Sequence, residues 1–210
     1  MKINSLRIMT LCVILITLIS CKSKPQTGTT GGNNNVVEKE NTPEIIYNDS
    51  IQDTFFGVKF GTEKRELIRK FESHNLVYDK YLSDDTTLRF RSRSGRKFNF
   101  GGLSWEMLNV CLSNNRFYFI QFMNAFKDKA AAINEYDGLL STVSSKYEMM
   151  EEAPKDSTEY KISRGYSKKD PHHYVVTSVF RYESYRGVIF NGVTLDYFDE
   201  DYQSSVSDEL

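Results

Sequence analysis

The 210-residue chain carries 27 lysine and arginine residues against 28 aspartate and glutamate residues, a formal net charge of -1. A chain so close to neutral has no overall attraction for nucleic acid or for anionic membranes, so we expect no nucleic-acid partner. Its 14 phenylalanines and 13 tyrosines favour strands over helices.

The N-terminus has the layout of an export signal. Lys2 and Arg7 precede an apolar segment over 8–19, and polar residues follow it. The segment is shorter than the roughly 20 apolar residues that a membrane-spanning helix needs. The residues Leu18-Ile19-Ser20-Cys21 resemble the lipobox of bacterial lipoproteins. The resemblance implies cleavage before Cys21 and a diacylglycerol on its sulfur. An ordinary signal peptide or a buried apolar helix is the alternative.

The resemblance to bacterial lipoproteins also implies a location. Lysine rather than aspartate at position 22 is typical of outer-membrane sorting, and no acidic run follows Cys21, which favours the periplasmic side. The stretch 21–48 is polar and too poor in apolar residues to fold, so we expect a flexible, lipid-anchored tether. We therefore divide the chain into four parts: signal peptide 1–20, tether 21–48, one domain 49–203 and disordered tail 204–210.

The signal peptide and the lipidation site together account for two of the three cysteines. Cys12 lies within it and Cys21 is the predicted lipidation site, so Cys111 has no partner for an intramolecular disulfide. No histidine lies near Cys111 in the sequence. We therefore interpret it as a buried or half-buried residue and not as a nucleophile.

The domain begins with an aromatic strand and a helix. Residues 55–62 predict a strand, and Thr62 is the predicted N-cap of the helix that follows. We expect this helix to end near Asn75, because asparagine tolerates the left-handed conformation of a helix C-terminus. A strand over 76–81 comes next.

Residues 87–92 and 96–100 predict a hairpin with a three-residue turn. This turn pairs Phe90 with Phe98 and gives the hairpin one buried face. The opposite face then carries three basic residues: Arg89, Arg91 and Lys97. Like charges on neighbouring strand positions repel, so we take these three as candidate ligands of an anion such as an acidic glycan or a phosphate headgroup. A solvated face that pairs with acidic residues is the alternative.

The rest of the domain is predicted from alternation and helical periodicity. The predicted elements are a hairpin of 103–112 and 116–123, a helix over 127–147, an acidic loop over 148–157, and strands over 159–166, 174–185 and 188–198. The order predicts an α+β fold, with antiparallel β-sheets and two helices packed on one face. It is also compatible with a degenerate tandem β-α-β-β duplication.

The sequence contains only weak matches to known catalytic and metal-binding motifs. His172 and His173 are adjacent on a predicted turn and lack the spacing that directs two imidazoles at one ion, so a surface turn is favoured over a metal site. Ser94 and Lys97 fit the S-x-x-K pattern of penicillin-recognising enzymes, but that motif opens a helix and these residues lie in a predicted turn. We expect no catalytic residue, no metal and no cofactor.

The stretch Phe55-Phe56-Gly57-Val58-Lys59-Phe60-Gly61-Thr62 followed by a helix resembles uncharacterised periplasmic lipoproteins of Bacteroidetes. The order of elements is also similar to that of lipoproteins of the outer-membrane assembly machinery and to the β-lactamase-inhibitor-like fold. These resemblances carry no functional residues across. We expect a membrane-anchored, non-enzymatic binding or scaffold module for a protein or envelope component. A small-ligand or anion-binding module that uses the basic hairpin face is the alternative.

Overall fold

The structure is a computed structural model that describes residues 48–184 and 186–204. The predicted signal peptide, the lipidation site Cys21, the tether and the tail lie outside these residues, apart from Asn48 and Ser204 at their edges. Within the two ranges, no helix is both long enough and apolar enough to cross a membrane.

The described residues form an α+β fold, as predicted. The helices are α1 (Lys64–Ser73), α2 (Lys129–Ser144) and α3 (Glu200–Ser204). The strands are β1 (Thr54–Phe55), β2 (Val58–Lys59), β3 (Leu76–Tyr78), β4 (Thr87–Ser92), β5 (Phe98–Phe100), β6 (Leu103–Trp105), β7 (Met107–Ser113), β8 (Arg116–Phe126), β9 (Met150–Glu152), β10 (Glu159–Tyr166), β11 (His173–Glu183) and β12 (Ile189–Asp199).

In the part of the chain that the structure describes, eight strands form one antiparallel sheet in the order β3-β4-β7-β8-β12-β11-β10-β9. Each half of this large sheet is a four-stranded meander that follows a helix, α1 in the first half and α2 in the second. The halves meet where β8 pairs with β12, with Phe122 opposite Leu195. The repeated pattern therefore begins with a helix and differs from the predicted β-α-β-β unit. A duplication stays a prediction.

The described helices all lie on the same face of the large sheet. Tyr136 of α2 and Phe71 of α1 belong to one core with Val193 of β12, and Tyr202 of α3 packs against that core. Side chains alternate between the two faces along a strand, so the residues between these core positions point the other way. We call that opposite side of the large sheet the outer face.

The first hairpin corrects the predicted strand at 55–62. Phe56 and Gly57 have positive φ angles of 49° and 73°, so the chain reverses in the middle of that stretch and β1 pairs with β2. Two consecutive residues with positive φ make the turn that best matches the twist of a hairpin. The predicted N-cap at Thr62 is also wrong, because α1 begins after Glu63, whose side chain makes no capping bond.

A second short hairpin corrects the predicted pairing of 87–92 with 96–100. Gly101 and Gly102 have φ angles of 63° and 80° and form a two-residue turn, so β5 pairs with β6. β4 pairs instead with β3 and β7, which places Phe90 opposite Tyr78 and Leu108 and not opposite Phe98. The glycine pair is the turn signal that favours this pairing.

The asparagine turns and the last strands follow the predictions more closely. Asn114 and Asn115 have φ angles of 48° and 62° between β7 and β8, and Asn75 has a φ of 63° after α1.

The predicted acidic loop is only partly a loop, because it contains β9. A Cβ at residue Gly165 of β10 would lie 3.0 Å from the carbonyl oxygen of Glu148, so glycine permits the chain before β9 to pass close to β10.

The aromatic core is organised around Phe55, which has 0% exposure. Its ring centre lies 5.4 Å from that of Phe60, 6.0 Å from that of Phe117 and 5.0 Å from that of Tyr197. Phe117 belongs to β8 and Tyr197 to β12. Phe55 therefore joins the first hairpin to the two strands at which the halves of the large sheet meet.

Replacing Phe55 tests this role. We expect Phe55→Ala to lower the free energy of unfolding by about 3–5 kcal/mol, because it removes a buried ring and leaves a cavity. The matched control is Tyr81→Ala, since Tyr81 is 85% exposed, and this change should stay within about 0.5 kcal/mol. Urea denaturation of both variants measures the difference, and equal losses would contradict the packing described.

Buried tyrosines make the fold sensitive to alkali. Burial raises the pKa of Tyr136, Tyr147, Tyr174 and Tyr197, and the charge of Glu200 adds to the shift at Tyr174. In the unfolded chain these phenols ionise at about pH 10. Above that pH the unfolded chain binds fewer protons than the folded chain, so the free energy of unfolding falls as the pH rises.

We therefore expect a free energy of unfolding that declines above about pH 10. The Tyr197→Phe variant should decline less steeply, because one buried phenol is removed, whereas the exposed Tyr81→Phe control should follow the wild-type curve. Urea denaturation between about pH 8 and pH 11 measures the slope. If absorbance at alkaline pH shows all tyrosines ionising before the chain unfolds, the linkage is wrong.

Candidate functional site

A straight row of polar side chains crosses the middle of the outer face. Arg89 of β4, Asn109 of β7, Gln121 of β8 and Asp196 of β12 stand directly opposite one another in the register of four adjacent strands. Each alternates with core residues of its own strand and so points away from the helices. We call these four residues the polar row.

The hydrogen bonds of the polar row all run in one direction. The Arg89 Nε donates to Asn109 Oδ1 at 3.0 Å, and Asn109 Nδ2 donates to Gln121 Oε1 at 2.9 Å. The Gln121 Nε2 then donates to Asp196 Oδ2 at 3.5 Å. A guanidinium at one end and a carboxylate at the other fix the orientation of both amides. Turning either amide over would set donor against donor or oxygen against oxygen.

Two hydroxyl groups continue the network beyond its acidic end. The hydroxyl of Thr194 donates to Asp196 Oδ2 at 3.4 Å, and the hydroxyls of Ser178 and Thr194 share a hydrogen bond of 2.9 Å. Asp196, Thr194 and Ser178 are 8%, 0% and 7% exposed. A buried carboxylate needs such partners. The acidic end of the polar row is therefore buried and bonded, while Arg89 at the other end is half-buried.

A row of aromatic side chains runs beside the polar row. It consists of Phe119, Phe198, Tyr174 and Tyr166, which are opposite one another on β8, β12, β11 and β10. The rings of Phe198 and Tyr174 stack with centres 4.6 Å apart and planes inclined by 13°. Tyr174 is 2% exposed, whereas Tyr166 at the end is 45% exposed. We call these four residues the aromatic row.

The three basic residues predicted to share a hairpin face are not equivalent. Arg89 belongs to the polar row. Arg91 lies two positions along on the outer face, with Nε 3.9 Å from Asp79 Oδ2. Lys97 lies outside any strand, with Nζ 3.5 Å from Glu106 Oε1. Because β4 and β5 do not pair, no common hairpin face exists, and a role of these residues in anion binding stays a prediction.

His173 lies partly inside the fold. It opens β11, and its Nε2 lies 2.9 Å from the buried Asp199 Oδ2, while Asp170 Oδ2 lies 3.6 Å from its Nδ1. The surface turn predicted for both histidines is therefore found only at His172, whose side chain is 55% exposed. In residues 48–184 and 186–204, no cluster of three histidine, cysteine, aspartate or glutamate side chains is arranged to hold a metal ion.

Cys111 and Trp105 are both buried in the fold. Cys111 lies on the outer face next to Phe119 and is 8% exposed, which confirms the prediction of a buried or half-buried residue. Trp105 is 2% exposed, and its Nε1 donates to the carbonyl oxygen of Phe100 at 3.2 Å. Trp105 therefore belongs to the core.

Sequence reasoning missed the polar row because its members are far apart along the chain. Consecutive members are separated by 20, 12 and 75 residues. A weak signal existed in each strand, where Asn109, Gln121 and Asp196 are single polar residues between apolar ones. That signal gives the face of each residue but not which strands are neighbours.

No protein-family model, curated protein or solved structure matches this chain. The resemblances to periplasmic lipoproteins, to outer-membrane assembly lipoproteins and to the β-lactamase-inhibitor-like fold therefore stay predictions.

The direction of the polar row can be tested with one isosteric change. Gln121→Glu places an oxygen opposite the Asp196 carboxylate where a donor stood, so we expect the free energy of unfolding to fall by about 1–3 kcal/mol at pH 7. The loss should shrink toward about pH 4, where carboxyl groups take up protons. Urea denaturation at the two pH values measures both effects.

The matched control is Asn99→Asp. The Asn99 Oδ1 accepts a hydrogen bond from the Ser104 hydroxyl at 2.8 Å on an exposed hairpin, and a carboxylate keeps that acceptor. This variant should change the free energy of unfolding by less than about 0.5 kcal/mol. Similar losses in both variants would show that the direction of the polar row is unimportant.

Proposed function

We propose that this chain is a lipid-anchored protein of the cell envelope, facing the periplasm from the outer membrane, and that it acts as a non-enzymatic binding module. Its partner is a protein or another envelope component, and its binding surface is the outer face. The observation that supports this proposal most is the fixed polar row beside the aromatic row, on a sheet face that lies opposite every described helix.

The composition of the outer face suits recognition. Aromatic residues are enriched at binding surfaces, where they supply contact area at a low cost in side-chain entropy. On the outer face, Phe180, Tyr182, Phe190 and Phe198 are half-buried and Tyr166 is exposed. The polar row lies among them with its hydrogen bonds already made. A partner therefore meets a surface whose side chains are held in place before binding, which lowers the cost of association.

The same hydrogen bonds argue against catalysis at the polar row. A nucleophilic hydroxyl needs a base that can remove its proton, most often an imidazole or an amine. Among the described residues, the hydroxyl of Ser178 bonds to that of Thr194, which donates to Asp196, and neither hydroxyl bonds to a histidine or lysine. The polar groups of this network form hydrogen bonds with one another. This arrangement suits a rigid binding surface better than a catalytic site.

The anchor part of the proposal rests on the lipobox. Mass spectrometry of the mature protein should find an acylated Cys21 at the N-terminus. Cys21→Ala should abolish acylation and release the domain from the outer-membrane fraction, or leave it uncleaved in the inner membrane. A wild-type chain whose N-terminus is mature but unmodified would contradict the anchor and leave the binding surface to be tested separately.

The binding surface is tested by photo-crosslinking of the full chain in its native envelope. A photoreactive residue placed at Tyr166 or Tyr182 should form discrete adducts, because both positions are on the outer face. The same residue at Asn134, on the exposed side of α2, should not. Adducts from α2 and none from the outer face would contradict the proposal.

Two matched substitutions of alanine distinguish a loss of binding at the outer face from a loss of stability. Ala125→Arg adds a large charged side chain to the outer face and should reduce the adducts at Tyr166 by about tenfold, as expected for the loss of roughly 1.4 kcal/mol of binding energy. Ala131→Arg adds the same side chain to the exposed side of α2 and should leave the adducts unchanged. Circular dichroism checks that both variants are folded.

A further inference from the structure

A groove of about 290 Å³ lies at the basic end of the polar row. It is formed where the loop between β3 and β4, the turn after β4 and the start of β7 come together. The charged side chains that line it are Arg89, Arg91, Arg96, Asp79 and Glu106. Three guanidinium groups thus share one small concave site with two carboxylates.

Local ion pairs account for both carboxylates. Asp79 Oδ2 lies 3.9 Å from Arg91 Nε, and Glu106 Oε1 lies 3.5 Å from Lys97 Nζ. Within 48–184 and 186–204, neither Arg89 nor Arg96 forms an ion pair, and Arg89 donates its Nε to the neutral amide of Asn109. Since Arg89 is half-buried, its charge lacks both full hydration and a direct counter-charge.

We infer that this groove binds the phosphate group of a ligand through Arg89 and Arg96. Guanidinium groups present paired N–H donors that match the oxygens of a phosphate, and such charge-assisted bonds are stronger than neutral ones. A dianionic phosphate would supply the two negative charges that Arg89 and Arg96 lack. The inference goes beyond the proposed function, since it assigns a second site, which shares Arg89 with the polar row but does not depend on the anchor.

Apolar side chains at the rim of the groove indicate what the phosphate is attached to. Leu82 lines the groove and is 52% exposed, and its neighbour Tyr81 is 85% exposed. The Lys80 Nζ lies 5.2 Å from the centre of the Tyr81 ring. Exposed apolar residues beside basic ones are typical of protein surfaces that contact lipid headgroups. A phospholipid headgroup and a soluble phosphate ester share the recognised group, and the experiment separates them.

The test uses the full-length chain in a maltoside detergent without phosphate, and it follows the arginine Nε–Hε signals by nuclear magnetic resonance. Inorganic phosphate should shift the signals of Arg89 and Arg96 in a saturable manner. Arg96→Gln should weaken phosphate binding by about tenfold, because one charge-assisted bond is lost. The matched control is Arg93→Gln, which changes an exposed arginine outside the groove and should alter binding by less than about twofold.

Three results would overturn the inference. These are the absence of any saturable shift with phosphate or lipid, an equal loss in Arg93→Gln and Arg96→Gln, or equally tight binding of acetate. Unfolding curves that coincide for the wild type and both variants exclude misfolding as the cause of a loss.

Mixed micelles identify the source of the phosphate. A shift of the Arg96 signal on addition of dioleoyl phosphatidylglycerol alone supports the inference with a lipid headgroup as the ligand. A response to inorganic phosphate but not to the lipid supports it with a soluble phosphate ester. Crosslinking from Tyr166 on β10, which is separated from β4 by four strands of the large sheet, reports separately on the proposed partner, so either site can fail without the other.

Discussion

A guanidinium and a carboxylate on the outer face are connected through two amides, and the register of four strands depends on that connection. Arg89 and Asp196 are charges of opposite sign that cannot meet directly, because two strands lie between them. Asn109 and Gln121 bridge the gap, and each uses one acceptor and one donor. A shift of one strand by a single residue would send its member of the row to the core face. The polar row therefore specifies the register of the strands it joins.

The core face imposes the same register by different means. Phe122 lies opposite Leu195 and Leu108 opposite Phe122, so apolar pairs alternate with the pairs of the polar row along the same strands. The side-chain pairs on the two faces therefore require the same register of β8 and β12, where the halves of the sheet meet. Agreement between local patterns and the overall fold is typical of sequences that specify one structure.

Short-range signals explain which parts of the fold were predictable. The helices, the long strands β10 to β12 and the asparagine turn between β7 and β8 follow from periodicity and turn chemistry within a few residues. The error at Phe56 arose where a predicted strand continued through residues of positive φ. The error in the pairing of β4 arose because the hairpin turn was placed between residues 92 and 96, whereas Gly101 and Gly102 form the turn that pairs β5 with β6. There the turn residues decided the structure against the apolar pattern.

The candidate site was less predictable than the fold because it depends on strand order. Alternation placed Arg89 on a polar face, but Asn109, Gln121 and Asp196 became its partners only through the pairing of β4 with β7, β7 with β8 and β8 with β12. The last of these pairings joins residues 75 positions apart. Long-range pairing of this kind leaves no local pattern in a single sequence.

A double-mutant cycle between the ends of the polar row tests the central claim most directly. Arg89 and Asp196 are three strand spacings apart, about 14 Å, a distance at which two substitutions normally have additive effects on stability. If the row transmits the interaction, Arg89→Ala and Asp196→Ala should show a coupling energy above about 0.5 kcal/mol, and the coupling should vanish in an Asn109→Ala background. Effects that add within about 0.3 kcal/mol in the wild-type background would contradict a connected row.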